Sequence, residues 1–159
     1  AEALVSLDEK RGGATIKKYS SMKSDEEDAL ITREFSEPVS ISKFIKAIDG
    51  ETSSKISDDH QLFGYTIINS KKAIMSFSAA DFLKIFGWST ERALIFTDIT
   101  YGRSPMIAIR VHPMKPAAIV YHKPAAVDPL AQKLAEADNI PLIITRLEMN
   151  DLIKRLDGL

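Results

Sequence analysis

The sequence predicts an α/β fold: a mostly parallel sheet with flanking helices, forming one Rossmann-like domain within a chain of 159 residues. Three nearly continuous apolar runs, RALIFT, AAIVY and PLIIT, are typical of strands that are buried on both faces. Capped helical segments separate these runs, so strand and helix alternate from residue 93 to residue 157. A helix between two apolar strands forms the crossover that parallel pairing requires.

Composition and charge exclude several classes of protein. The chain is 45% apolar and 27% charged, which is typical of a globular domain that can bury a core. Its 21 basic and 22 acidic residues give a net charge of -1, so no basic footprint for nucleic acid is visible. Cysteine is absent, which excludes disulfides, thiolate metal sites and thiol nucleophiles and fits a reducing compartment.

The sequence also predicts a cytoplasmic protein without a membrane partner. No apolar run approaches the roughly 20 residues that span a bilayer. The opening stretch, AEALVSLDEKRGG, lacks the charged-then-apolar pattern of a signal peptide.

Two regions differ in pattern, and we assign them as an N-terminal arm, residues 1–37, and an α/β domain, residues 38–159. The arm contains the acidic stretch SSMKSDEED and only moderate strand signals such as ALITREF. An arm of this kind packs on its own domain or on a partner subunit, or it is a disordered tail or the remnant of another domain. The sequence leaves these alternatives open.

In the first half of the domain, SISKFIKAIDG predicts a helix with Ser40 as its N-cap, because apolar residues recur at helical spacing. LFGYTIIN predicts a strand, and KAIMSF is interpreted as an extension of that strand or as its neighbour. SAADFLKIFG predicts a short helix with Ser78 as its cap. The FGW corner at 86–88 is expected in the core or at an interface.

In the second half, GRSPMIAIRVHP is ambiguous. Ser104 followed by Pro105 indicates a helix start, whereas Ile107, Ile109 and Val111 alternate as in a strand. We favour a helix, because the next stretch is again a buried strand.

Helix signals then recur to the end of the chain. Asp128 with Pro129 predicts the next helix, Asn139 suits the left-handed position after its end, and LEMNDLIKRLDG predicts a last helix.

Taken in order, these segments resemble a known family. The segments that carry the resemblance are SISKFIKAIDGE, FGYTIIN, SAADFLKIF, RALIFTDITYGRSP, KPAAIVYHKP and, most closely, DPLAQKLAEADNIPLIIT. Residues 38–157 resemble the DRTGG domain, which is related in fold to the N-terminal domain of HPr kinase. At the family's first signature loop this chain reads TYGRSP, without the aspartate that the family has between glycine and arginine. At the family's threonine-glycine-glycine segment it reads YHK. The resemblance implies a regulatory or oligomerising module, usually dimeric, with no established chemistry of its own.

The candidate ligand site is formed by the loops that follow the predicted strands at 93–98 and 117–122. The carboxyl ends of parallel strands meet at one edge of the sheet, where open α/β folds bind ligands. Asp98 follows one buried strand, and a helix start beside Arg103 favours an anion such as phosphate or carboxylate. The alternative to an anion site is that GRSP forms only a capped turn and that Arg103 is a solvated surface residue. The predicted ligand-binding residues are Asp98, Tyr101, Gly102, Arg103, Ser104, His122 and Lys123.

No catalytic or metal-binding pattern accompanies this site. His60, His112 and His122 show no metal-ligand spacing, and the serines lack the context of a nucleophile elbow. We therefore expect no cofactor and, in all, a non-catalytic regulatory or oligomerisation module that works as a homodimer. The alternative is a small-molecule or anion-binding protein, including a nucleotide binder, that uses the same loops.

Overall fold

The computed structural model describes residues 30–55, 60–78, 80–81, 84–85 and 90–159. Its elements, in chain order, are β1 (Leu30–Ser40), α1 (Ile41–Ala47), β2 (Gln61–Asn69), α2 (Ser70–Ser76), β3 (Arg92–Thr97), α3 (Arg103–Val111), β4 (Ala118–His122), α4 (Pro129–Ala137), β5 (Leu142–Thr145) and α5 (Met149–Asp157).

The five strands form one sheet in the order β1-β2-β3-β4-β5. β1 runs antiparallel to β2, and the other three pairs are parallel. Each parallel strand lies beside its predecessor, so crossovers of one hand place their helices on one face of the sheet. The predicted α/β fold with a mostly parallel sheet is confirmed.

Apolar residues on both faces of the sheet explain why the central strands are nearly continuous apolar runs. On one face, Leu94 and Phe96 of β3 pack in a cluster with residues of α2, α3 and α4. On the other face, Ala93 and Ile95 pack with residues of α1 and α5. The alternation of side chains along a strand therefore serves two cores.

Several predicted helix caps are present. The Ser40 hydroxyl accepts a hydrogen bond from the Lys43 amide at 3.2 Å, and the Asp128 carboxylate accepts one from the Leu130 amide at 2.8 Å. The ambiguous segment is helical, as favoured, but its helix begins at Arg103 with Gly102 as N-cap, two residues before the start that Ser104 and Pro105 indicated.

One element differs in type from the prediction. KAIMSF was interpreted as strand, yet all of it except Phe77, the C-cap, belongs to α2, which begins directly after β2. The Asn69 side chain accepts a hydrogen bond from the Lys72 amide at 3.0 Å and so caps this helix at the end of the strand. Ile74 and Met75, whose apolar side chains suggested a strand, are 69% and 87% exposed and are therefore not buried in a sheet.

The predicted arm is described only in part. Residues 30–37 belong to β1, whose pairing with β2 places them on the edge of the domain's own sheet. Residues 1–29 and the FGW corner lie outside the described residues. In the part of the chain that the structure covers, no helix has the length and apolar character needed to cross a bilayer.

Candidate functional site

A pocket of about 480 Å³ opens at the carboxyl edge of the sheet, between α2, α3 and the ends of β2 and β3. This volume lies in the range of small-molecule sites, and the position is one where open α/β sheets bind ligands. Its described lining is mainly apolar, with contributions from Ile68, Ala73, Ile74, Phe96, Ile99 and Ala108. Polar groups are few and are supplied by Ser70, Asp98, Thr100, Arg103 and Ser104.

Ser70, the first residue of α2, contributes a buried polar atom to this region. Its hydroxyl oxygen is inaccessible to solvent and has no hydrogen-bond partner among the described residues. A buried hydroxyl without a partner costs about 1–3 kcal/mol, so such groups are rare in native proteins.

Asp98 lies at the rim of the pocket, directly after β3. Its backbone is left-handed, with φ 53°, a conformation that few non-glycine residues adopt. The Asn69 side chain donates a hydrogen bond to its Oδ2 at 2.7 Å, and the same amide group caps α2 through its oxygen. The end of β2 therefore holds the Asp98 carboxylate in place.

Gly102 permits the close approach of the loop to β4. Its φ of 74° is left-handed, and a Cβ there would lie 2.1 Å from the Tyr121 ring. The Tyr121 hydroxyl donates a hydrogen bond to the Gly102 carbonyl. Burial, with the negative charge of Asp128 adding to it, raises the pKa of Tyr121 well above its usual range, so the phenol stays a donor.

Arg103 is engaged within the protein. Its Nε and one terminal nitrogen each lie 2.9 Å from Asp128 Oδ2, although 60% of the side chain is exposed. Desolvation opposes the charge on Asp128, but the Leu130 amide and the Arg103 guanidinium outweigh it and lower the pKa of that carboxyl. The pair joins the start of α3 to the start of α4.

His122 and Lys123 do not line the described part of the pocket. His122 Nε2 donates to the Leu147 carbonyl at 2.8 Å, and the Lys123 ammonium pairs with Glu148. That ammonium lowers the pKa of the Glu148 carboxyl. The seven predicted residues thus divide into five at the β3 end, which line the pocket, and two that face the loop after β5.

Sequence reasoning missed two residues on the β2 side: Ser70, which lines the pocket, and Asn69, whose amide holds the Asp98 carboxylate. Their signal was the capping pattern of an asparagine immediately before a helix, which was hidden by the strand interpretation of KAIMSF. Among the described residues, no group of three histidine or acidic side chains is placed to hold a metal ion.

No protein-family model matches this chain. It is 43% identical over 160 residues to an uncharacterised HTH-type transcriptional regulator of Methanocaldococcus jannaschii, an alignment that covers 98% of this chain and 66% of the relative. It is 40% identical over 157 residues to another uncharacterised HTH-type transcriptional regulator, of Archaeoglobus fulgidus, with 97% of this chain and 68% of the relative covered.

The fold also has a solved counterpart, the regulatory region of Clostridium perfringens pyrophosphatase, with CBS and DRTGG domains, in complex with its activator diadenosine tetraphosphate. The TM-score is 0.54 at 14% identity, over 76% of this chain and 47% of the other. This likeness shows the fold and agrees with the DRTGG-like architecture expected from the sequence.

The chain spans about two thirds of the length of the two curated relatives. At this level of identity and coverage, it belongs to the family of these archaeal proteins, which are named as uncharacterised HTH-type transcriptional regulators.

Proposed function

We propose that this chain is the non-catalytic regulatory part of a transcriptional regulator and that it binds a small effector molecule at the carboxyl edge of its sheet. The observation that carries the proposal is the pocket, whose apolar walls enclose few polar groups and whose Ser70 hydroxyl is buried without a described partner. A pocket with these properties is the usual form of a small-molecule site.

The names of the relatives support a role in transcription for the whole protein. HTH denotes a helix-turn-helix motif, which reads the major groove with its second helix. Each of the five named helices in the described part of this chain buries apolar residues against the sheet. The net charge of the full chain is -1. We therefore assign DNA contact to the remaining third of the relatives' length and keep the prediction that this domain itself binds no nucleic acid.

A nucleotide or another small anion bound against residues 102–104 is the second form of the proposal. It is favoured by the start of α3, where no side chain caps the helix, and it requires the Arg103 guanidinium to leave its ion pair with Asp128. The complex of the Clostridium perfringens region with diadenosine tetraphosphate lends it further support.

A thermal-shift screen against nucleotides, phosphates and carboxylates tests the proposal, because a ligand that binds only the folded chain raises its melting temperature. Ala108→Phe narrows the pocket and should abolish the shift, whereas Ala137→Phe, on the exposed side of α4, should leave it unchanged. A shift that persists in a folded Ala108→Phe variant would place the binding elsewhere.

Assembly is proposed as the second part of the role. Helix-turn-helix regulators commonly read two half-sites as dimers, and a two-fold contact is the commonest assembly of soluble homo-oligomers. We propose a homodimer in the cytoplasm to which the 1–37 arm or the FGW corner contributes contacts. Light scattering behind size exclusion measures the mass, and a mass of one chain across the micromolar range would refute the dimer.

A further inference from the structure

We infer that the pocket takes a small molecule with an apolar body and a hydrogen-bond donor, a hydroxyl or an amine, in preference to an anion. The inference rests on the proposed function of the pocket and specifies its ligand. Asp98 and Ser70 are the groups that recognise the donor, and the apolar walls hold the body.

The charges around the pocket favour this class. Within the described lining, the charged side chains are Asp98 and Arg103. The guanidinium of Arg103 is already paired with Asp128 at 2.9 Å, so its charge is largely offset. Asp98 makes no ion pair within the described part of the chain, and its described partner is the neutral amide of Asn69. The pocket therefore presents one uncompensated carboxylate, which repels anions and attracts donors.

The Asp98 carboxylate is also positioned before a ligand arrives. The Asn69 amide engages Oδ2, which leaves Oδ1 as an acceptor. Asn69 is itself fixed, since its oxygen caps α2. A hydrogen bond to an acceptor held in this way costs little ordering on binding.

Ser70 adds a second polar group with a different role. Its buried hydroxyl has no described partner, and a hydroxyl can donate or accept. Because the oxygen is closed to solvent in the present rotamer, a ligand hydroxyl or amine reaches it once the Ser70 side chain rotates about χ1 toward the pocket. An uncharged group then pairs with it without bringing a charge into an apolar pocket. An anion would have to face Asp98 and draw Arg103 away from Asp128.

Three probes that share one ring separate the alternatives: benzyl alcohol, benzylamine and benzoate, which are neutral, cationic and anionic at neutral pH. Each is titrated at millimolar concentration into the full chain while backbone amide shifts are followed by NMR. We expect the alcohol and the amine to shift amides at 70–74 and 98–104 and to bind at least tenfold more tightly than benzoate. Tighter binding of benzoate would overturn the inference and leave the pocket's function standing. No shift at these amides with any probe would refute the proposed function itself.

Variants test the two recognising groups. Asp98→Asn should weaken the binding of benzylamine about tenfold or more, because it removes the charged acceptor for the ammonium group. Asp151→Asn, an exposed carboxylate on α5 across the sheet, is its matched control and should have no effect. Unchanged benzylamine affinity in Asp98→Asn would remove Asp98 from the site.

Ser70→Ala gives a readout that does not depend on Asp98. Because the hydroxyl has no described partner, its removal should raise the melting temperature of the free chain, while benzyl alcohol binds more weakly. A lower melting temperature together with unchanged binding would show that the hydroxyl is satisfied internally and would overturn its role.

Discussion

The carboxyl ends of β3 and β4 occupy equivalent places in the sheet, yet one borders a pocket and the other is closed by the protein itself. Both strands are followed by a non-glycine residue in the left-handed conformation, Asp98 with φ 53° and Lys123 with φ 47°. After β4, the Lys123 amide donates to the Thr145 carbonyl at 2.9 Å and its ammonium pairs with Glu148. After β3, residues 98–104 line the pocket.

The difference arises from what the neighbouring elements supply. The β5 side is closed further by a bridge in which Glu51 and Ile144 exchange two backbone hydrogen bonds of 2.8 Å, and by the Thr145 hydroxyl, which donates to the Ile48 carbonyl at 2.7 Å. On the β2 side, α2 begins at once and brings a buried hydroxyl without a described partner. Position at a strand end is thus insufficient for a site, because the local polar groups must also be left without internal partners.

The largest expected effect is that of Gly102→Ala, which disrupts the contact between the pocket loop and Tyr121. A Cβ at this position would lie 2.1 Å from a buried tyrosine ring, and the φ of 74° disfavours any side chain. Left-handed strain and overpacking together should lower the free energy of unfolding by about 3 kcal/mol. Urea denaturation measures it. Gly158→Ala, whose Cβ would meet its nearest neighbour at 3.4 Å, is the control, and an equal loss in both variants would contradict the argument.

Tyr121→Phe should have the next largest effect. It keeps the ring beneath the loop but removes the hydroxyl that donates to the Gly102 carbonyl. A buried acceptor left without its donor costs about 2 kcal/mol. The measurement is again urea denaturation, and a variant as stable as the parent would mean that the carbonyl finds another donor.

Much of the fold could be predicted because burial on both faces leaves a continuous apolar run that is visible in the sequence. The choice of helix for α3 is explained by Met106 and Ile109, which are buried at helical spacing, whereas Ile107 and Val111, which suggested a strand, are 43% and 77% exposed. The error at α2 has the same origin, since exposed apolar residues imitate a strand where capping, not burial, decides the structure.

The candidate site could be predicted only on the β3 side. Asp98 and residues 101–104 line the pocket because they follow directly from their strand. The placement of His122 and Lys123 depends on Leu147 and Glu148, 25 residues further along the chain, and the sequence offers no signal for those pairings. The unpaired state of the Ser70 hydroxyl likewise exists only in three dimensions.

Asp128→Asn should have a smaller and pH-dependent effect on stability. Asparagine can still cap α4, so the variant removes chiefly the ion pair with Arg103. The folded pKa of Asp128 lies below its ordinary value of 3.8, so its stabilisation is present above that pH and is lost as the pH falls through the folded pKa. The difference in melting temperature between parent and variant should be constant near neutral pH and shrink in acid.

Arg103→Gln provides the matched control for this pair. If the ion pair is the cause, the double variant should lose little beyond either single variant. A difference that grew as the pH fell would contradict the assignment.

The smallest expected effect is that of Lys123→Gly at the closed end. Glycine relieves the left-handed strain but adds conformational freedom to the unfolded chain, so the two changes nearly cancel and stability should stay within about 0.5 kcal/mol of the parent. Lys123→Val is the informative partner, because a β-branched residue at φ 47° is strained and should cost about 1 kcal/mol. Denaturation midpoints compare the two. A stable valine variant would show that this turn changes its backbone conformation easily, and the contrast between a closed β4 end and an open β3 end would then have to rest on the side chains alone.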